Sequence, residues 1–127
     1  MVQVLDAAAD AAATAEPGAL RDAAIVEVLY ATGVRVSELT ALDLGDIDWQ
    51  RRSVRVLGKG NKERVVPVGS FAVAALQRYL TVARPQLVRA KSPANVFLTR
   101  RGTAFAHVTM WKRIGDRVRA AGVERHV

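Results

Sequence analysis

Two cationic side chains stand where the chain could offer them to an anion. Lys59 lies in Gly58-Lys59-Gly60-Asn61-Lys62, five residues with two glycines, an asparagine and no apolar side chain. Val54 and Val56 precede this segment at strand spacing, and Val65, Val66 and Val68 follow it. Two β-branched runs joined by such a loop predict a β-hairpin, with an ammonium group carried out at its tip. Arg35 lies 24 positions earlier, in Gly33-Val34-Arg35-Val36-Ser37-Glu38-Leu39, at the expected start of a short helix. Taken alone, Arg35 could be a plain ion-pair partner of Glu38, three positions on, and Lys59 a solvated loop lysine.

The charge distribution bears on what the anion would be. The chain of 127 residues has a formal net charge of +7. Its first 50 residues hold two basic and nine acidic side chains, a net of −7, and the remaining 77 hold 17 basic and three acidic ones, a net of +14. A basic half of this kind usually faces a polyanion, most often nucleic acid; a solubilising surface is the bland alternative. The absence of cysteine excludes a disulfide framework and thiolate metal sites. His107 and His126 fall in no metal-ligand spacing. Asp43, Asp46 and Asp48 lack the alternate acids and closing glutamate of a calcium loop, so they read as connector carboxylates and no metal is expected. No stretch is long and apolar enough to span a membrane, and the start does not resemble a signal peptide. A cytoplasmic protein with no membrane partner is the expectation. The length and 50% hydrophobic content suit one domain over residues 1–127.

The elements that must position these cations can be read in order. An alanine-rich helix is expected over 2–14, broken by Glu16-Pro17-Gly18. A stronger helix follows over 19–32, with Leu20, Ala23, Ala24, Val28 and Leu29 as its apolar stripe and Gly33 as its left-handed C′ residue. A short helix runs from Arg35 through Leu42, then a short strand around 47–49, then the hairpin over 53–67. Ser70 is the expected N-cap of a helix over 71–82 that Arg84-Pro85 ends. A basic connector spans 86–95, Val96-Phe97-Leu98 is a buried run, and residues 100–102 form a turn. The last helix is expected over 108–121, with Trp111, Ile114 and Val118 inward, Lys112, Arg113, Arg117 and Arg119 outward, and Gly122 as its cap. Trp49 and Trp111 are assigned to packing, as are Tyr30 and Tyr79 with wet hydroxyls, and His107 to the surface or a cap. These elements make an α+β fold: helices flanking a small antiparallel three-stranded sheet.

Two motifs now matter together: Tyr30 to Leu39 (YATGVRVSEL) and Gly58 to Pro67 (GKGNKERVVP), in that order and joined by Asp46-Ile47-Asp48. They closely resemble the catalytic domain of tyrosine recombinases, the phage-integrase superfamily, and its Xer-type members in particular. The resemblance runs over about residues 20–123. It implies site-specific recombination or integration of double-stranded DNA: a tyrosine attacks a phosphodiester, holds the end as a 3′-phosphotyrosine, and passes it to a 5′-hydroxyl of another strand. It implies no metal or cofactor, and DNA and other recombinase subunits as partners. By the same resemblance Arg35 binds non-bridging oxygens of the scissile phosphate, which suits a permanently charged fork. Lys59 is the general acid for the leaving 5′-oxygen, a role open to lysine because it can release its proton. Lys62 and Arg64 steady the DNA backbone, and Glu38 orients Arg35 or a nearby helix. The family also uses a His-x-x-Arg element, a further His or Trp, the nucleophilic tyrosine and an N-terminal DNA-clamp domain, none of which matches a segment of these 127 residues. The expectation is the N-terminal half of such a catalytic domain, binding DNA without cutting it. A non-catalytic DNA-binding module, or a structural fragment completed by another polypeptide, is the alternative.

Overall fold

Pro17 opens a helix where the sequence pattern suggests a break. Its missing N–H costs nothing at a helix start and its fixed φ suits one, so α1 spans Pro17–Thr32, two residues longer than expected. The structure, a computed structural model, describes residues 16–125, with side-chain surroundings through residue 119. The helix expected over 2–14 lies outside the described residues. The chain continues as α2 (Val36–Thr40), a 3₁₀ turn (Leu44–Asp46), β1 (Ile47–Asp48), β2 (Ser53–Leu57), a second 3₁₀ turn (Lys59–Asn61) and β3 (Glu63–Pro67). It then forms α3 (Ser70–Arg78), a π-helical turn (Tyr79–Ala83), α4 (Arg84–Leu87) and α5 (His107–Arg125).

The sheet is antiparallel in the order β1-β2-β3, as the sequence pattern suggests. Val54 and Val56 of β2 face the core, while Arg55 and Leu57 alternate outward. The edge strand β3 is mostly wet, with Val65 exposed and Val66 only half-buried. α1 packs against α3, the π turn, α4 and α5. Ala24, Ile25, Val26 and Val28 are all buried, so its apolar surface wraps wider than a single stripe, as befits a helix enclosed by neighbours.

The expected stop at Arg84-Pro85 is not a stop. The helical path runs on to Leu87 by widening into the π turn, where the Arg84 N–H reaches back to the Tyr79 carbonyl. That wide turn carries the chain past a proline that could not donate in an α register. The cap of α3 is Gly69, at a φ of 81°, rather than Ser70, which is its first helical residue. α5 runs through Gly122 to Arg125 instead of ending there. Its buried face is Met110 and Ile114, whereas Trp111 is 60% exposed and Val118 is also exposed. Trp49 is likewise exposed, so neither tryptophan packs in the described core.

Val96, Phe97 and Leu98 are fully buried, as expected, and side chains rather than a long ladder tie them down. The Tyr79 hydroxyl donates to the Val96 carbonyl at 2.8 Å and accepts the Leu98 N–H at 3.1 Å. Its ring stacks on Phe97, with centroids 5.3 Å apart. This hydroxyl is dry, contrary to expectation, and burial pushes its pKa up to about 12. Tyr30, by contrast, is 67% exposed and does not pack. Arg84 Nε and Nη2 donate to the carbonyls of Pro93, Asn95 and Val96, and Asn95 donates to the Thr40 carbonyl at 2.8 Å. Arg21 is 2% exposed; it pairs with Asp22, donates to the Leu98 carbonyl and lies over the Phe105 ring at 5.0 Å. Removing the Tyr79 hydroxyl leaves the buried Leu98 N–H without its acceptor, while the Val96 carbonyl keeps only its bond from Arg84 Nε. A Tyr79→Phe variant is therefore expected to lose about 1–3 kcal/mol of stability, read as a lower urea midpoint with unchanged slope.

Candidate nucleic-acid interface

Arg35 owes its position to its neighbours. α1 ends at Gly33, whose φ of 66° is the left-handed turn expected of it and whose N–H returns to the Leu29 carbonyl at 2.9 Å. Val34 and Val36 then enter the core. Held between two buried valines in extended backbone (φ −80°, ψ 154°), Arg35 can only point outward, and its side chain is exposed. It is the N-cap residue of α2. The Glu38 carboxylate, three residues on, accepts the Arg35 N–H at 2.8 Å, which is the reciprocal half of a capping box.

Lys59 is set by the hairpin. The β2–β3 ladder runs to the Leu57–Glu63 pair, leaving the five-residue loop the sequence indicates. The Gly58 N–H closes that loop onto the Lys62 carbonyl at 2.8 Å. Gly60 and Asn61 take positive φ of 72° and 59°, conformations that favour those two residue types. Lys59 and Lys62 are both exposed on this turn.

The two motifs meet. A cleft of about 610 Å3 opens between α2, the hairpin and the start of α5, lined by Arg35, Ser37, Glu38, Gly58, Lys59, Arg64 and His107. Lys62 is not among its lining residues. Sequence reasoning gives His107, the first residue of α5, no part in the site; it reaches the cleft because α5 packs on α2, a tertiary adjacency that local pattern cannot report. Arg64 does more than line the cleft. Its Nη1 and Nη2 donate to the two Glu38 oxygens at 2.5 and 3.1 Å. The Glu38 side chain is only 4% exposed, that of Arg64 48%.

The electrostatics follow. Hydrogen bonding from Arg64 holds the Glu38 carboxyl below its ordinary value of 4.5; burial opposes this, and the Arg35 N–H and the two guanidinium charges add to it. The same pairing raises Arg64. With Glu38 ionised and matched to Arg64, the cleft retains the charges of Arg35 and Lys59, which no further carboxylate among the described residues lining it compensates. The aspartates nearby are occupied as connector groups: Asp43 caps the Gly45 N–H, Asp46 takes the Asp43 N–H and Arg55, and Asp48 takes the Arg51 N–H. On α5, Lys112, Arg117 and Arg119 are exposed and Arg113 half-buried; Arg119 pairs with Asp116, and Arg100 with Glu16.

A helix-flanked three-stranded sheet thus brings an arginine at a helix start and a lysine at a hairpin tip to one cleft. The chain belongs to the phage integrase family, which it matches over residues 2–127. Within the family it is a Xer-type sequence. It is 54% identical over 98 residues to tyrosine recombinase XerC of Mycobacterium sp. (strain KMS), covering 77% of this chain and 33% of that protein. It is 46% identical over 109 residues to tyrosine recombinase XerD of Proteus mirabilis, covering 86% of this chain and 35% of that protein. The chain thus spans about a third of the length of these curated relatives. The crystal structure of XerA recombinase superposes with a TM-score of 0.72 at 32% identity, over 93% of this chain and 41% of that one. XerH recombinase, in a pre-cleavage complex with its difH substrate, shares the fold with a TM-score of 0.66 at 23% identity, over 81% of this chain and 30% of that one.

Because the Glu38 pKa is depressed, its contribution to stability is present above the unfolded value and lost as pH falls through the folded one. A Glu38→Gln variant is expected to be about 1–2 kcal/mol less stable than the parent at pH 7, a modest figure because Arg64 is half exposed. The gap should narrow as pH is lowered below the ordinary value of 4.5, as urea titrations at stepped pH would read.

Proposed function

We propose that this chain holds a backbone phosphate of duplex DNA in the Arg35–Lys59 cleft, as part of site-specific recombination by strand cleavage and rejoining. The supporting observation is that these two exposed cations, 24 residues apart in sequence, line the same cleft. Relatives that bear the name tyrosine recombinase, and the site-specific recombinase XerH bound to its difH substrate, support the choice of DNA over other polyanions. Such a substrate would place the chain in the cytoplasm; among the described residues, no helix is long and apolar enough to cross a membrane.

In the proposed reaction a tyrosine oxygen bonds to phosphorus as the bond to the 5′-oxygen breaks. Charge grows on the non-bridging oxygens, and the Arg35 fork stabilises it more in the transition state than in the ground state. Lys59 gives its proton to the departing 5′-oxygen, which leaves as a hydroxyl. The 3′-phosphotyrosine keeps the energy of the broken bond, so no cofactor is required. Arg35 is held between its buried valine neighbours, and Lys59 stands on the hairpin turn.

Neither Tyr30 nor Tyr79 lines the cleft, which favours a second reading for the chain by itself: it binds DNA without cutting. A duplex carrying a trapping nick separates the two, because cleavage by this chain would leave a covalent adduct on a denaturing gel and the binding reading expects none. Binding itself is tested by fluorescence anisotropy across a salt series. Affinity for duplex DNA should fall steeply with salt, and Arg35→Ala combined with Lys59→Ala should flatten the log–log slope by about 0.9 for each phosphate no longer neutralised. No binding at low salt would reject both DNA readings and leave a structural role.

A further inference from the structure

The family resemblance puts Arg64 on the DNA backbone; in the structure its half-exposed guanidinium is engaged by Glu38. It forks onto Glu38 across 26 residues of sequence, in the bidentate geometry that only arginine can make. Glu38 Oε1 is shared: it accepts the Arg35 N–H at 2.8 Å as well as Arg64 Nη2. One buried carboxylate therefore joins the backbone that carries Arg35 to the strand that leads out of the Lys59 turn.

The root of that turn rests on the same ion pair. A Cβ on Gly58 would lie 3.4 Å from both Arg64 Nη1 and Glu38 Oε2, so the Gly58 backbone sits directly against the clasp. Arg64 pairs with Val56 one rung below the Leu57–Glu63 pair, beyond which the Gly58 N–H closes the loop. Arg64 is thus placed to fix where the turn begins.

We infer that Arg64 is a positioning residue, whose clasp on Glu38 seats the Lys59 turn against the Arg35 helix start. Its significance for phosphate chemistry rests on the function proposed above, but the clasp itself does not. A lysine at position 64 keeps the charge and loses the fork, so it cannot hold both Glu38 oxygens in one plane.

The test is amide hydrogen exchange on the 127-residue protein without DNA, comparing the parent with Arg64→Lys, Glu38→Gln and the double variant. The clasp predicts that protection of the Gly58 amide falls about tenfold or more in Arg64→Lys. Val54 and Val66, at the far end of the ladder, should keep theirs. Glu38→Gln should loosen the same turn, and the double variant should lose no more than the worse single one, as expected for two ends of one interaction. Unchanged protection at Gly58 in Arg64→Lys would overturn the inference. So would an equal loss at Gly58, Val54 and Val66, which would mark Arg64 as an ordinary stability contact. Failure of DNA binding would sink the functional proposal and leave these exchange results untouched.

Discussion

A buried carboxylate has to be matched, and that requirement organises the site. Glu38 is nearly closed off from solvent, so its charge is tolerable only with donors around it. It has three: the Arg35 N–H and two N–H groups of Arg64. These come from two elements that local sequence does not join, the start of α2 and the edge strand β3. Satisfying one charge therefore brings a helix start and a hairpin into fixed relation. The two exposed cations ride on those elements, and neither is spent on the match.

The division of labour among the basic residues follows from this. Arg64 neutralises Glu38, and Arg35 and Lys59 are left as the positive groups of the cleft. A concave site lined by one sign of charge focuses the field and draws an anion inward. The arginine is braced by Val34 and Val36; the lysine stands on a closed turn with two residues in left-handed backbone. This suits the division proposed above between charge stabilisation, which needs preorganisation, and proton transfer, which needs reach.

Much of this is legible in the sequence because it rests on local rules. Alternating valines and a glycine-rich tip define the hairpin with its loop length, and Gly33 marks the turn that delivers Arg35. Local pattern misleads where tertiary packing decides. Pro85 reads as a helix stop, but a π turn carries the chain past it. Helical spacing assigns Trp111 to the core, but the partner elements meet the Met110–Ile114 face instead. Arg21 sits in an apolar stretch beside its ion-pair partner Asp22, but the Leu98 carbonyl and the Phe105 ring that complete its surroundings lie more than 75 residues away. The Glu38–Arg64 clasp is invisible for the same reason: residues 26 apart have no periodicity to reveal them.

The proposed function calls for a single phosphate between the two cations. A crystal structure of this chain with a short DNA duplex would show it. One backbone phosphate is expected there, its non-bridging oxygens meeting the Arg35 guanidinium while the Lys59 ammonium approaches the 5′-oxygen of the same phosphorus. DNA seated on another face, or Arg35 and Lys59 engaging phosphates well apart along the duplex, would contradict it.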